Sequence, residues 1–125
     1  QMKFTVKPLV GPSSILLSLM ASGFNGQSFT FLGYLPIALS EKTKSIKHME
    51  RKVYAKNQTQ IFIETPYRNI KTFQDIITTC QVSTKLCIAY DLTLPTENIK
   101  TKSIKEWKKE TPDIHKKPCI FLLYK

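Results

Sequence analysis

A chain of 125 residues, 42% hydrophobic and 10% aromatic, has the size and apolar content of one domain with its own core. At 22% charged, with 7 prolines and 4 glycines, it is neither collagen-like nor wholly disordered. The charge balance is the unusual number: 19 basic against 9 acidic residues leave +10, which fits either a solvated lysine-rich surface or a polyanionic partner such as nucleic acid.

Lys3 to Lys7 alternates and reads as a short strand ending at Pro8. Gly11-Pro12 is a turn signal, and a serine before an apolar block is a helix N-cap signal. A helix follows through Ile15, Leu16, Leu19 and Met20 to about Ser22, stopped by Gly23. Its leucines predict a helix buried almost throughout. The stretch around Ile15 to Ala21, broken by Ser18, is far short of the roughly 20 residues of a membrane span. Ser28 to Phe31 reads as a strand and Gly33 to Pro36 as an ordered loop.

From Glu41 to about Lys56, Ile46, Met49 and Val53 recur at helical spacing. The other face is expected to carry Lys42, Lys44, Lys47, Arg51, Lys52 and Lys56 with Glu41 and Glu50. Thr59 to Glu64 is the clearest strand, a central one by its apolar character. A helix is expected from about Pro66 to Cys80, striped by Ile70, Phe73, Ile76 and Ile77. Thr84 to Tyr90 is a buried strand, Asn98 to Ser103 an edge strand, and Ile104 to Glu110 a short helix with Trp107 inward. Pro118 to Tyr124 is a closing strand. The order describes an α/β (α+β) domain, a mixed β-sheet of about five strands flanked by helices.

The three cysteines, Cys80, Cys87 and Cys119, lack C-x-x-C spacing and sit in apolar segments. They read as buried thiols in a reducing compartment, with no disulfide framework and no metal site. Cys87 and Cys119, on two strands, are candidates to line one pocket, with no base nearby in the sequence. His48 and His115 sit among lysines without ligand partners and read as surface residues. The opening Gln-Met-Lys-Phe lacks the apolar block of a signal peptide. Two segments carry more chemistry. Gly11-Pro12-Ser13-Ser14 offers a helix N-terminus and two hydroxyls to a carboxylate or phosphate, although a plain turn and cap has the same residues. Ile63-Glu64-Thr65-Pro66-Tyr67-Arg68 puts a carboxylate at a strand end and an arginine in the next helical turn. Ligands of open α/β sheets bind at the carboxyl ends of strands, and an ion pair between Glu64 and Arg68 is the structural alternative.

Taken together, "LVGPSSILLSLMASGFNGQSFTFLGYLP", "QIFIETPYRN", "KLCIAYDLT" and "KPCIFLLY" resemble the C-terminal half of the tetrapyrrole methylase superfamily. Within it they are similar to the branch of small-subunit ribosomal RNA cytidine-2′-O-methyltransferases. That branch shows a P-G-P-S-A turn, G-F-L-P, an F-Y-E-S-P-H-R corner and R-E-L-T. Here Val10, Ser14, Tyr34, Thr65, Tyr67 and Tyr90-Asp91 replace the family residues. The resemblance implies a domain of a two-domain enzyme that holds S-adenosylmethionine between its halves, in the cytoplasm and as a homodimer. The glycine-rich G-x-G-x-x-D segment belongs to an N-terminal domain absent from these 125 residues.

The resemblance further implies that Ser13, Ser14, Glu64, Cys87, Ala89 and Pro118 contact the cofactor. Glu64 does so mainly through its main chain. Tyr67 and Arg68 face the substrate, ribosomal RNA or alternatively a corrin or porphyrin. A basic, non-catalytic binding module is the reading without transfer chemistry. The isolated domain is expected to bind S-adenosylmethionine only weakly and to show no turnover.

Overall fold

The structure of the chain, a computed structural model, describes residues 12–92 and 94–125, with side chains from Ser14 onward. The strand expected over Lys3 to Lys7, Gly11 and the Ser13 hydroxyl lie outside the described residues.

In chain order the elements are α1 (Pro12–Ser22), β1 (Phe29–Tyr34), α2 (Leu39–Lys56), β2 (Thr59–Glu64), α3 (Asn69–Thr79), β3 (Lys85–Tyr90), β4 (Asn98–Ser103), α4 (Ile104–Trp107) and β5 (Cys119–Tyr124). The five described strands form one mixed sheet in the order β1-β2-β5-β3-β4. β1 and β2 are parallel, with α2 as the crossover that parallel strands require. The other neighbours are antiparallel. This is the expected α/β architecture with β2 inside the sheet and β4 at an edge. β5, the last strand in sequence, is the middle one. Its side chains alternate between the two cores, Cys119, Phe121 and Leu123 on one face and Ile120 and Leu122 on the other, which accounts for its unbroken apolar run.

The sheet separates two cores. On one face Phe62, Leu86, Ile88, Phe121 and Leu123 pack against Ile46, Met49 and Val53 of α2, Phe73 and Ile76 of α3, and Ile104 and Trp107 of α4. Phe62 and Phe121 stack at 5.2 Å, and Phe73 meets Trp107 edge-on at 5.6 Å. Trp107 points inward as expected and donates its indole N–H to the Leu86 carbonyl at 2.8 Å. Each such side chain removed from water stabilises the fold by roughly 1.5–3 kcal/mol. On the other face α1 lays Leu19 over Ile61, Cys87, Ala89, Ile120 and Leu122.

Several expectations are corrected. α1 is not buried almost throughout: Leu16, Leu17 and Met20 are exposed, Met20 at 72%. Leucines on several sides of one helix cannot all face one sheet at 100° per residue. The close approach is made instead by Ser18, Leu19 and Ser22. The two serine hydroxyls donate back to the carbonyls of Ser14 (2.8 Å) and Leu19 (2.7 Å), so burying them leaves no orphan. β1 extends through Gly33 and Tyr34, expected in a loop, with a register shift between Phe31 and Gly33 and Gly33 at φ 76°.

α2 ends at Lys56, as expected, and Asn57 caps it in the left-handed conformation at φ 52°. Lys42 and Glu50, expected on its solvated face, are buried. α3 starts at Asn69, because Thr65 to Arg68 close a turn through the Arg68 N–H and Thr65 carbonyl at 3.1 Å. Arg68 is therefore the N-cap and not a first-turn residue. α4 ends at Trp107, where the following bonds tighten to Lys109 N–H to Glu106 and Glu110 N–H to Trp107. Among the described residues no helix is long and apolar enough to cross a membrane.

Candidate functional site

The carboxyl ends of β2 and β3 and the entries of β4 and β5 meet at one end of the sheet. Glu64, Cys119, Tyr90 and Asn98 stand in register across β2, β5, β3 and β4. One residue further in, Ile63, Ile120, Ala89 and Ile99 form the next row. Of the positions nominated from sequence, Glu64, Cys87 and Ala89 therefore belong to strands β2 and β3 on either side of β5, and Pro118 immediately precedes β5. Glu64, Ala89 and Pro118 lie at this shared end. Their side chains do not share a face: Cys87 and Ala89 are buried beneath α1, while Glu64 is on the side of the α2–α3 layer. Cys87 and Cys119 belong to opposite cores, so they line no common pocket.

The Glu64 carboxylate is 4% exposed as a residue and fully engaged. One oxygen accepts the Thr72 hydroxyl at 2.6 Å, and the other accepts the Thr65 N–H at 2.9 Å. Arg68 Nε stands 3.5 Å from the second oxygen, close enough for charge attraction but outside hydrogen-bond geometry. The structural ion pair thus exists, although loosely. Behind it Thr72 accepts from Lys42 Nζ at 3.2 Å, and Lys42 pairs with Asp75 at 3.1 Å. Lys71 reaches the other Asp75 oxygen at 3.1 Å. Sequence reasoning missed this network, yet a signal existed: Lys42 precedes Ile46 by four residues and so extends the Ile46–Met49–Val53 stripe.

A second missed residue is Asn69. It is fully buried at the start of α3 and donates to the main-chain oxygens of Ile114, at 3.1 Å, and Lys117. The Lys116 N–H bonds the Pro66 carbonyl at 3.2 Å. The corner after β2 and the segment leading to Pro118 are thereby one piece. Lys117 also pairs with Asp91 at 3.0 Å and lies 4.8 Å over the Tyr90 ring. Burial would raise the Asp91 carboxyl, but hydrogen bonds from Lys117 and Thr96 outweigh it and hold that group below the usual carboxylate range.

Four buried side-chain atoms among the described residues have no hydrogen-bond partner, and three of them cluster here: Thr65 Oγ1, Arg68 Nε and Asn69 Oδ1. Buried polar atoms are normally paired, and of these three Arg68 Nε has the Glu64 carboxylate at ion-pair distance. Tyr67 stands 80% exposed beside them. Ser14 is half-buried at the start of α1. A cavity of about 170 Å³ lies between Tyr90, Asn98, Lys100 and the 110–113 segment, and none of the nominated residues lines it. His48 and His115 are exposed, and no metal-ligand cluster occurs among the described residues.

No family model matches the chain. Curated relatives do. Ribosomal RNA small subunit methyltransferase I of Vibrio cholerae is 30% identical over 95% of this chain, and that of Escherichia coli O157:H7 is 27% identical over 94%. The chain spans about two fifths of the length of these relatives, 41% in both cases. Among solved structures, the methyltransferase CobJ superposes with a TM-score of 0.60 at 15% identity, covering 88% of this chain and 46% of its own. The cobalt precorrin-4 methyltransferase CbiF does so at 0.57 and 18%, covering 89% and 48%. Along nearly its whole length the chain is thus similar in sequence to part of ribosomal RNA small subunit methyltransferase I, and it shares the fold of the methyltransferases CobJ and CbiF.

Proposed function

We propose that this chain is the C-terminal domain of an S-adenosylmethionine-dependent methyltransferase that modifies a ribose of small-subunit ribosomal RNA. The observation that carries this reading is the 30% identity along 95% of the chain to a ribosomal RNA methyltransferase. The orphaned polar atoms of Thr65, Arg68 and Asn69, beside the Glu64–Cys119–Tyr90 row, support a ligand at that end of the sheet.

S-adenosylmethionine supplies an activated methyl group on a sulfonium, so the protein's task is alignment and the exclusion of water. With its carboxylate engaged by Thr72 and Thr65, Glu64 meets a nucleoside through its main chain. Ala89 and Cys87 keep β3 slim beneath α1. Pro118, just before β5, has no N–H of its own. Ser13 and Ser14 begin α1, whose free N–H groups suit a carboxylate. Tyr67 and Arg68 face the acceptor.

The lysines favour RNA over a tetrapyrrole. Lys44, Lys47, Arg51 and Lys56 are exposed along α2, and Lys100, Lys105, Lys108 and Lys109 around β4 and α4. They are spread over several elements, which suits phosphate contacts along a strand, while Arg68, Lys116 and Lys117 stand at the strand ends.

The reading includes an N-terminal domain and a second copy of the chain as partners. No charged residue occurs from Pro8 to Ser40 in a chain of net charge +10. Leu16 and Met20 of α1, and Phe31 and Tyr34 of the edge strand β1, expose apolar surface within that stretch. Two strongly basic copies meet there without bringing like charges of this stretch together.

The test is transfer of labelled methyl from S-adenosylmethionine by the longer protein carrying this chain. Undermethylated small ribosomal subunits and a precorrin are offered side by side. Label in a ribose of the RNA is the expected result, and label in the precorrin replaces the acceptor assignment. The 125-residue chain alone is expected to bind S-adenosylmethionine more weakly than micromolar by calorimetry.

A further inference from the structure

A lysine with 3% side-chain exposure is costly to bury, and Lys42 sits on the stripe of α2 that otherwise carries Ile46, Met49 and Val53. Its ammonium has two partners on α3, Asp75 Oδ2 at 3.1 Å and Thr72 Oγ1 at 3.2 Å. By accepting from Lys42, Thr72 turns its own proton toward Glu64 Oε1, 2.6 Å away. The other oxygen of Glu64 holds the N–H of Thr65 at 2.9 Å. A chain of charge-assisted contacts thus runs from α2 through α3 to the peptide between Glu64 and Thr65, the last peptide of β2. Every charged group facing Thr72 in this network is accounted for: Lys42, Asp75 and Lys71 behind it, Glu64 and Arg68 before it.

A single hydroxyl therefore decides how the strand end is presented. If Thr72 loses it, Glu64 keeps one oxygen without a donor, and Lys42 keeps one N–H without an acceptor. The carboxylate is then free to swing toward Arg68 and release the Thr65 N–H, which turns the peptide plane. The hydrophobic contacts of α3, made by Phe73 and Ile76, are untouched by that change.

We infer that Thr72 is a positioning residue for nucleoside binding, acting through Glu64 to set the orientation of the Glu64–Thr65 peptide at the end of β2. This rests on the methyltransferase reading above. It adds that Lys42 and Asp75, behind Thr72 in the α2–α3 layer, tune cofactor affinity.

The experiment compares the longer protein with its Thr72→Val, Thr72→Ser and Asp75→Asn variants. KM for S-adenosylmethionine, KM for RNA and kcat are measured together with the melting temperature. Thr72→Val keeps the shape and removes the hydroxyl. It is expected to raise KM for S-adenosylmethionine about tenfold, the scale of a small misplacement, while KM for RNA stays within about twofold. Thr72→Ser, which keeps the hydroxyl, is expected to restore the wild-type value within about twofold. A folded Thr72→Val protein with unchanged KM for S-adenosylmethionine overturns the proposal. If Thr72→Val does not fold, Asp75→Asn decides: a selective rise in the same KM supports it, and an unchanged KM overturns it. A wild-type protein that binds no S-adenosylmethionine by calorimetry sinks the methyltransferase reading itself, and the positioning role with it. A wild type that binds while the variants match it sinks the positioning role alone.

Discussion

Asn69 and Ile114 lie 45 residues apart in sequence, yet the Asn69 carboxamide donates to the Ile114 carbonyl at 3.1 Å. The same nitrogen donates to Lys117. One side chain thus joins the corner after β2 to the entry of β5, the two segments on which the nominated residues Glu64 and Pro118 stand. Because Asn69 is fully buried, water cannot replace it. Asn69→Ala is expected to lower unfolding free energy by about 2 kcal/mol in urea titrations. A loss below about 0.5 kcal/mol would show that the two carbonyls are wetted.

The Lys42–Asp75 pair is expected to behave as buried pairs do. Lys42→Met leaves Asp75 with the exposed Lys71 as its remaining cation. A loss of about 3 kcal/mol is expected, and the double replacement Lys42→Met with Asp75→Leu is expected to recover most of it. Additive losses in that double-mutant cycle would mean that the two charges do not interact.

The cysteines give a prediction with a definite sign. All three are free and buried. Burial pushes the Cys87 thiol up to about 11, against a smaller opposing hydrogen bond from Thr101. Burial, reinforced by the Asp91 charge, pushes Cys119 up to about 12. Cys80 is raised by burial and by Glu50. A raised thiol pKa in the fold means that the folded state keeps protons the unfolded chain releases above its ordinary value near 9. Stability is therefore expected to be full below pH 9 and to fall as pH rises from 9 toward 12. At pH 8 a disulfide reagent is expected to label no cysteine in the folded chain and all three once urea is added. Rapid labelling of the folded chain would refute the burial.

The uncharged stretch from Pro8 to Ser40 is expected to hold copies of the chain together. Met20→Lys with Phe31→Lys replaces two exposed side chains, so folding stability is expected to change by no more than about 1 kcal/mol. Sedimentation is expected to shift from dimer to monomer. A wild-type chain that sediments as a monomer at all concentrations would remove the second copy from the proposal.

If the exposed lysines meet RNA phosphates, charge reversal on α2 has a calculable effect. Lys47→Glu with Arg51→Glu is expected to reduce the salt slope of RNA binding by about 2 and to weaken binding of all RNA sequences alike. An unchanged slope would make α2 a merely solvated face.

The sequence was most legible where periodicity reports burial. β2, β3, β4 and β5 lie within a residue of their expected bounds because alternation or an unbroken apolar run marks them. α2 was equally clear in its Ile46–Met49–Val53 stripe, but the hydrophobic pattern hid Lys42 and Glu50, whose burial depends on partners far along the chain. α1 misled because a helix rich in leucine announces apolar surface without saying what covers it. The strand-end corner was legible as a motif, E-T-P-Y-R, through the family resemblance. Its closure by Asn69 and its tie to Thr72 were not, since a lone Asn or Thr carries no periodic signal and its partners are main-chain atoms or side chains many residues away.

The most direct measurement is methyl transfer itself. The longer protein is incubated with labelled S-adenosylmethionine and small ribosomal subunits from cells lacking the corresponding enzyme, and the RNA is digested to nucleosides. One 2′-O-methylated nucleoside carrying the label, lost on Thr72→Val at limiting cofactor and regained at saturation, is expected. No label in RNA from a protein that is folded and soluble, together with no calorimetric binding of S-adenosylmethionine, would contradict a nucleoside slot at the Glu64–Cys119–Tyr90 strand ends.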